Sequence, residues 1–144
     1  MPFHQPRPRL IHVRKTIAFT GAAGLGEVGT VTVFTVTGVV LLEGRAAICS
    51  ESLEQALATA TIAFGTANSA TAFMGTTTAT ALLAGEIWDD TTPTTAEFED
   101  VSTGAYVVDS NIVVTVGSQN VTNGTIVFDV WYRQVSTGSS IVAA

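Results

Sequence analysis

The sequence predicts an all-β fold: a single β-sandwich or jelly-roll-like domain with an extended N-terminal arm. Three observations carry this expectation. Threonine and valine dominate the apolar tracts, and β-branched side chains fit a pleated sheet. Apolar residues recur with period two in several short segments separated by glycine-containing turns. No long segment shows the 3.6-residue apolar period of an amphipathic helix. The chain of 144 residues has room for one domain with a substantial core.

The elements follow in order. Residues 1–10 hold Pro2, Pro6 and Pro8, which favour an extended path. This stretch reads either as an arm reaching a neighbouring subunit or as a disordered tail. The arm is expected over 1–15, the sandwich over 16–136 and a flexible tail over 137–144. A first strand pattern runs through 11–19, with Ile11, Val13, Lys15, Ile17 and Phe19 on one face. In 28–37, Val31 and Val33 share a face and Phe34 and Val36 share the other. That slip predicts a β-bulge or a strand buried on both sides. Residues 39–49 and 56–65 read as two further strands, joined by a hairpin loop at 51–54 or by one helical turn there. Short strands are expected at 105–108 and 111–116. In 125–135, Ile126, Phe128, Val130 and Tyr132 face one way, and Val127, Asp129, Trp131 and Arg133 the other. The intervening 117–124, with Asn123-Gly124, is rich in turn residues.

Charge is scarce and unevenly spread. Charged residues make up 12% of the chain, about half the usual share of ~25%. None occurs in 28–42, 55–85 or 110–128. Monomers cover their surfaces with charge, so these tracts point to surface that meets protein rather than water. The strongest case is 65–85, where Thr, Ala and Gly run on without alternation. That segment is the expected contact with another subunit.

Four of the six basic residues are Arg7, Arg9, Arg14 and Lys15, and no acidic residue precedes Glu27. The arm is therefore basic and the body acidic. An acidic body argues against a nucleic-acid-binding domain, which needs clustered Lys and Arg. The four arm cations are the candidate partner-binding residues. Asp89, Asp90, Glu97, Glu99 and Asp100 flank a Pro93 turn. They read as a solvated acidic loop, as weak calcium candidates through their oxygen ligands, or as a receiver for a neighbour's basic arm.

Other motifs point away from chemistry. Gly24–Gly29 matches G-x-G-x-x-G, but a strand pattern follows where a dinucleotide site needs a helix. Cys49 is the single cysteine, expected as a buried apolar residue at a strand end, with a reactive thiol as the alternative. No disulfide within the chain and no thiolate metal site follow from one cysteine. His4 and His12 sit in or beside the arm, and neither has the setting of a hydrolase triad. No catalytic residue and no cofactor is expected. Trp88, Trp131, Tyr106 and Tyr132 read as core or interface residues, or as a sugar-stacking platform. No signal peptide or membrane-spanning run is visible, so a soluble protein made in a cytoplasm is expected.

The stretches TVFTVTGVVLL (32–42), ICSESLEQALATATIAFGTANSATAF (48–73) and TTTATALLAGEIWDDTTP (76–93) resemble small virion proteins of tailed bacteriophages. The resemblance covers a little under half of the chain and rests on a texture of Thr, Ala, Val and Gly. It implies a capsid decoration, or cement, protein: β-rich, often trimeric, clamping neighbouring capsid subunits without chemistry. The implied partner is the major capsid protein, and the implied location is the capsid surface of the virion after assembly in the host cytoplasm. A homotrimer packed through neutral faces is the favoured assembly. The alternative is a tail or head-fibre module that binds a host surface glycan through Trp88 or Trp131.

Overall fold

Nine strands form two antiparallel sheets in the computed structural model, which describes residues 8–54, 59–88, 93 and 105–144. The strands are β1 (Ile11–Ala18), β2 (Gly29–Thr37), β3 (Val40–Glu54), β4 (Thr61–Thr66), β5 (Ser69–Thr78), β6 (Tyr106–Val108), β7 (Ile112–Gly117), β8 (Asn123–Gln134) and β9 (Ser140–Ala143). One sheet has the order β1-β8-β3-β6, the other β5-β4-β7-β2-β9. The pairs β1·β8, β2·β7, β3·β6 and β4·β5 nest inside one another along the chain. That nesting is a long hairpin rolled into two layers, the jelly roll. The ninth strand is added at the edge of β2.

The core follows from alternation. On β8, Ile126, Phe128, Val130 and Tyr132 are buried, as their period-two pattern predicts. Phe64 of β4 reaches across the layers to Phe128 of β8, with ring centroids 5.0 Å apart. Phe73 meets Phe64 edge-on at 5.3 Å. Trp88 is fully buried beside them, and its indole N–H donates to Thr77 Oγ1 at 3.0 Å. The expected slip in β2 is a bulge between Thr32 and Phe34. It turns both Val33 and Phe34 into the core.

Several expectations need correction. Residues 51–54 are no hairpin loop. They continue β3, where Glu51 lies opposite Thr125 and Glu54 opposite Asn123. Leu53 is buried there, and its N–H donates to Leu82 O at 3.0 Å. The next strand, β4, lies in the other sheet. Cys49 is buried as expected, but mid-strand rather than at a strand end. The segment 137–144 is not a flexible tail throughout. Ile141 of β9 is buried opposite Val36, which ties the chain down. Arg14 and Lys15 stand on β1 rather than on an arm.

The segment 65–85 holds β5 and a short 3-10 turn at Ala79–Ala81. The pairing of β4 with β5 steps from Phe64↔Met74 to Thr66↔Ser69, so residues 70–73 crowd opposite Gly65. A Cβ on Gly65 would lie 2.3 Å from Ser69 O, so only glycine fits. The excursion also breaks the alternation, because Phe73 and Met74 are buried side by side.

Phe64 is the test of the core. Phe64→Ala leaves a cavity between the sheets and should cost about 3–5 kcal/mol. Urea unfolding should show a lower midpoint at an unchanged slope.

Candidate functional site

The two sheets differ in charge. β2, β4, β5, β7 and β9 contain no charged residue, so the whole five-stranded sheet is neutral. The four-stranded sheet carries Arg14 and Lys15 on β1, four charged residues on β3, and Asp129 and Arg133 on β8. The uncharged tracts of the sequence thus supply most of one layer.

Among the described residues the neutral sheet ends on β5 at one edge and β9 at the other. β5 is ten residues long and exposes Ser69, Ala70, Thr71, Thr76 and Thr78. Across the outer side, register rows run Thr30–Thr115–Ala63 and Thr32–Val113–Gly65. These are small or β-branched residues throughout. Val142 of β9 is exposed at the opposite end.

The outer side of the four-stranded sheet is different. His12 and Arg14 on β1 stand opposite Trp131 and Asp129 on β8. Arg14 donates from Nε to Asp129 Oδ1 at 2.8 Å, and His12 Nε2 lies 2.5 Å from the same oxygen. The His12 ring stacks on Trp131 at 4.9 Å. Asp129 is only 2% exposed although it points away from the core. Burial pushes its carboxyl upward, but the hydrogen bonds and charges of Arg14 and His12 outweigh this and hold it below the usual carboxylate range.

The candidate arm cations therefore have separate fates. Arg14 is committed to Asp129. Lys15 donates to the Ala144 carbonyl. Arg9 is exposed before β1, and Arg7 lies outside the described residues. The carbonyl of Pro8 accepts from Arg133, whose Nε also donates to Glu43 at 2.8 Å. The root of the arm is thus fixed on the charged sheet.

Asp89, Asp90, Glu97, Glu99 and Asp100, the calcium candidates, lie outside the described residues. Among the described residues no group of three His, Cys, Asp or Glu side chains is placed to hold a metal ion. The sugar-stacking expectation fails for two of its four residues. Trp88 and Tyr132 are core residues. Trp131 is flanked by the His12 ring on one strand and by Gly44 on the other, where a Cβ would meet the indole at 3.3 Å. Tyr106 lies under the Arg45 guanidinium, at 5.1 Å. Cys49 donates to Glu51 O at 3.0 Å, and burial pushes its thiol upward, away from the reactive thiolate. After Gly29 comes strand β2, as the sequence pattern predicts. Gly26 is required for a different reason than phosphate binding. Its φ is 109°, and a Cβ would lie 2.2 Å from Val121 O.

No family model matches the chain, and no curated protein matches it. Among solved structures the chain is similar to one described as the cyanophage Pam1 capsid asymmetric unit. The identity is 20% and the TM-score 0.48, over 94% of this chain and 91% of that chain.

The Asp129 cluster sets a pH dependence. A carboxyl held below its unfolded value stabilises the fold fully above that value, near 3.9, and the gain is lost as pH falls through the folded value. Asp129→Asn should therefore lower thermal stability at pH 7 and match the wild type in strong acid. Thermal melts of both proteins from pH 7 down to about pH 2 check this.

Proposed function

We propose that this protein is a structural virion protein of a tailed bacteriophage, which decorates the capsid and stabilises it by binding across major capsid protein subunits. The observation that carries the reading is β5, a long uncharged edge strand at the end of a sheet without a single charged residue. Edge strands of monomers are blunted by charge, proline, shortness, a bulge or a covering segment. β5 has no charge and no proline and is ten residues long, and the device it does carry among the described residues is the bulge opposite Gly65. Such an edge is stable in solution when another protein chain covers it.

The texture that resembles decoration proteins supports the same reading. The stretches that carry it include most of β2, β3, β4 and β5. Jelly rolls recur in viral capsid and lectin domains, but fold alone assigns no function. The lectin reading lacks an open aromatic platform among the described residues. Catalysis lacks a constellation of titratable groups there, since His12, Arg14 and Asp129 satisfy one another.

In this reading the neutral sheet packs into a homotrimer, and the basic arm, with Arg7 and Arg9, lies along the capsid. Each contact contributes about 25 cal/mol per Å² of apolar area, less the cost of association. Repetition over a capsid lattice multiplies weak contacts through avidity.

The test uses purified protein and capsids assembled without it. Light scattering should give a trimer mass, and the protein should sediment with the capsids to saturation. Thr71→Lys places an unpaired charge on the exposed part of β5. An unpaired charge buried at an interface costs about 3–5 kcal/mol, so this variant should be monomeric at concentrations where the wild type is trimeric. Removal of residues 1–10 should keep the trimer and weaken capsid uptake. A monomeric wild type that leaves capsids bare would overturn the proposal.

A further inference from the structure

The asparagines of the chain are Asn68, Asn111, Asn120 and Asn123. The first three are tied down. Asn111 Oδ1 accepts from the Val36 N–H at 3.0 Å. Asn120 Oδ1 accepts from the Val28 N–H at 3.0 Å, and its Nδ2 donates to Gly21 O at 3.2 Å. After Asn68, the Ser69 N–H donates to Thr66 Oγ1 at 3.1 Å, so the next main-chain nitrogen is occupied. Asn123 differs from all three. It is exposed, its side chain makes no hydrogen bond among the described residues, and a glycine follows it. Glycine has no side chain to obstruct the approach of its own nitrogen to the residue before it. The main chain here is nevertheless held. The Thr122 N–H donates to Glu54 O at 2.9 Å, and the Phe19 N–H donates to Gly124 O at 2.8 Å. The peptide between Asn123 and Gly124 lies between these two bonds. A Cβ on Gly124 would lie 2.5 Å from Ser52 O, so the backbone has no room to shift toward β3.

We propose that Asn123 is a site of spontaneous deamidation that the folded state closes, and that modification there bars an open chain from its native register. The reaction needs only water. The Gly124 nitrogen loses its proton to hydroxide and attacks Asn123 Cγ. The bond from Cγ to Nδ2 breaks, and the side-chain nitrogen takes a proton from water and leaves as ammonia, which restores the hydroxide. Water then opens the cyclic imide at either of its carbonyls. Opening at one gives aspartate. Opening at the other gives isoaspartate, which carries an extra methylene in the main chain. To attack, the Gly124 nitrogen must turn toward the side chain, and this swings the peptide out of the ladder against both bracketing bonds. In the folded protein that turn requires the strand end to open. Both products oppose closure afterwards. Aspartate at 123 stands opposite Glu54, and like charges across strands repel. Isoaspartate lengthens the chain between Thr122 and Gly124, whose partners on β3 and beside β1 are fixed. The inference is independent of the capsid reading.

The test incubates the full-length protein in mildly alkaline buffer, folded in one arm and unfolded in guanidinium chloride in the other. Peptide mapping by mass spectrometry follows the conversion of each asparagine to acid. In the unfolded arm Asn123 should convert first. In the folded arm it should convert at least about tenfold more slowly, the factor set by an opening free energy of about 1.4 kcal/mol. After the denaturant is removed from the unfolded arm, a fraction of chains should fail to refold, and that fraction should be enriched in isoaspartate at 123. Asn123→Gln, whose longer side chain cyclises far more slowly, should refold fully after the same incubation. This variant separates modification at 123 from damage elsewhere. Equal conversion at Asn123 in the two arms would overturn the proposal, as would conversion of another asparagine ahead of it. So would an isoaspartate form that refolds to the melting temperature of the unmodified protein.

Discussion

The contact on which the rest of the structure depends is the meeting of Phe64 and Phe128 across the two layers. A sandwich has no connection between its sheets except side chains and loops, so its layers hold only as well as the inner faces interlock. Phe64 sits at the centre of a neutral strand and Phe128 at the centre of a charged one. Phe73 and Trp88 close around them. Each brings its own element to the middle: β5 through Phe73, and the chain after the 3-10 turn through Trp88. The buried indole N–H of Trp88 is satisfied by Thr77, which spares the cluster an unpaired indole donor.

Around that centre the molecule separates its charges by layer. A layer that faces water on its outer side usually alternates apolar with charged or strongly polar residues. The β1-β8-β3-β6 layer does so, and its outward Asp129 is enclosed by His12 and Arg14. The other layer alternates apolar with Thr, Ala and Gly. Threonine hydroxyls are hydrated at modest cost in free protein and are removed from water at modest cost in a contact. Lysine and glutamate would be far more costly to bury. The neutral layer is therefore compatible with both solvent and protein.

Much of this was legible in the sequence where contrast between neighbours was strong. β8 was readable because Ile126, Phe128, Val130 and Tyr132 recur at every second position, with charged Asp129 and Arg133 among the residues between them. The bulge in β2 was readable because two valines change face to Phe34 and Val36. β5 was not, because Thr, Ala and Gly give little hydropathic contrast and the register excursion buries Phe73 beside Met74. β9 escaped because four residues show too little pattern. The continuation of β3 through Glu54 escaped because glutamates at 51 and 54 look like a loop. The Asp129 cluster was hidden for another reason. Its partners lie more than a hundred positions away in the chain. The two-residue spacing of His12 and Arg14 put both on one face of β1, and Asp129 and Trp131 share a face of β8. Only the register joins them.

The nested pairing of the strands has a kinetic consequence. β4 and β5 are joined by two residues, whereas β1 and β8 pair across most of the chain. Loop closure becomes more costly with length, and non-local pairing slows folding. The β4·β5 hairpin can close first, and β1·β8 must wait until nearly the whole chain is collected. During that wait the uncharged strands are formed or forming, with their edges open and without charge to keep chains apart. Yield on refolding should therefore fall with chain concentration. The same lack of charge gives its folding a narrow window before association goes astray.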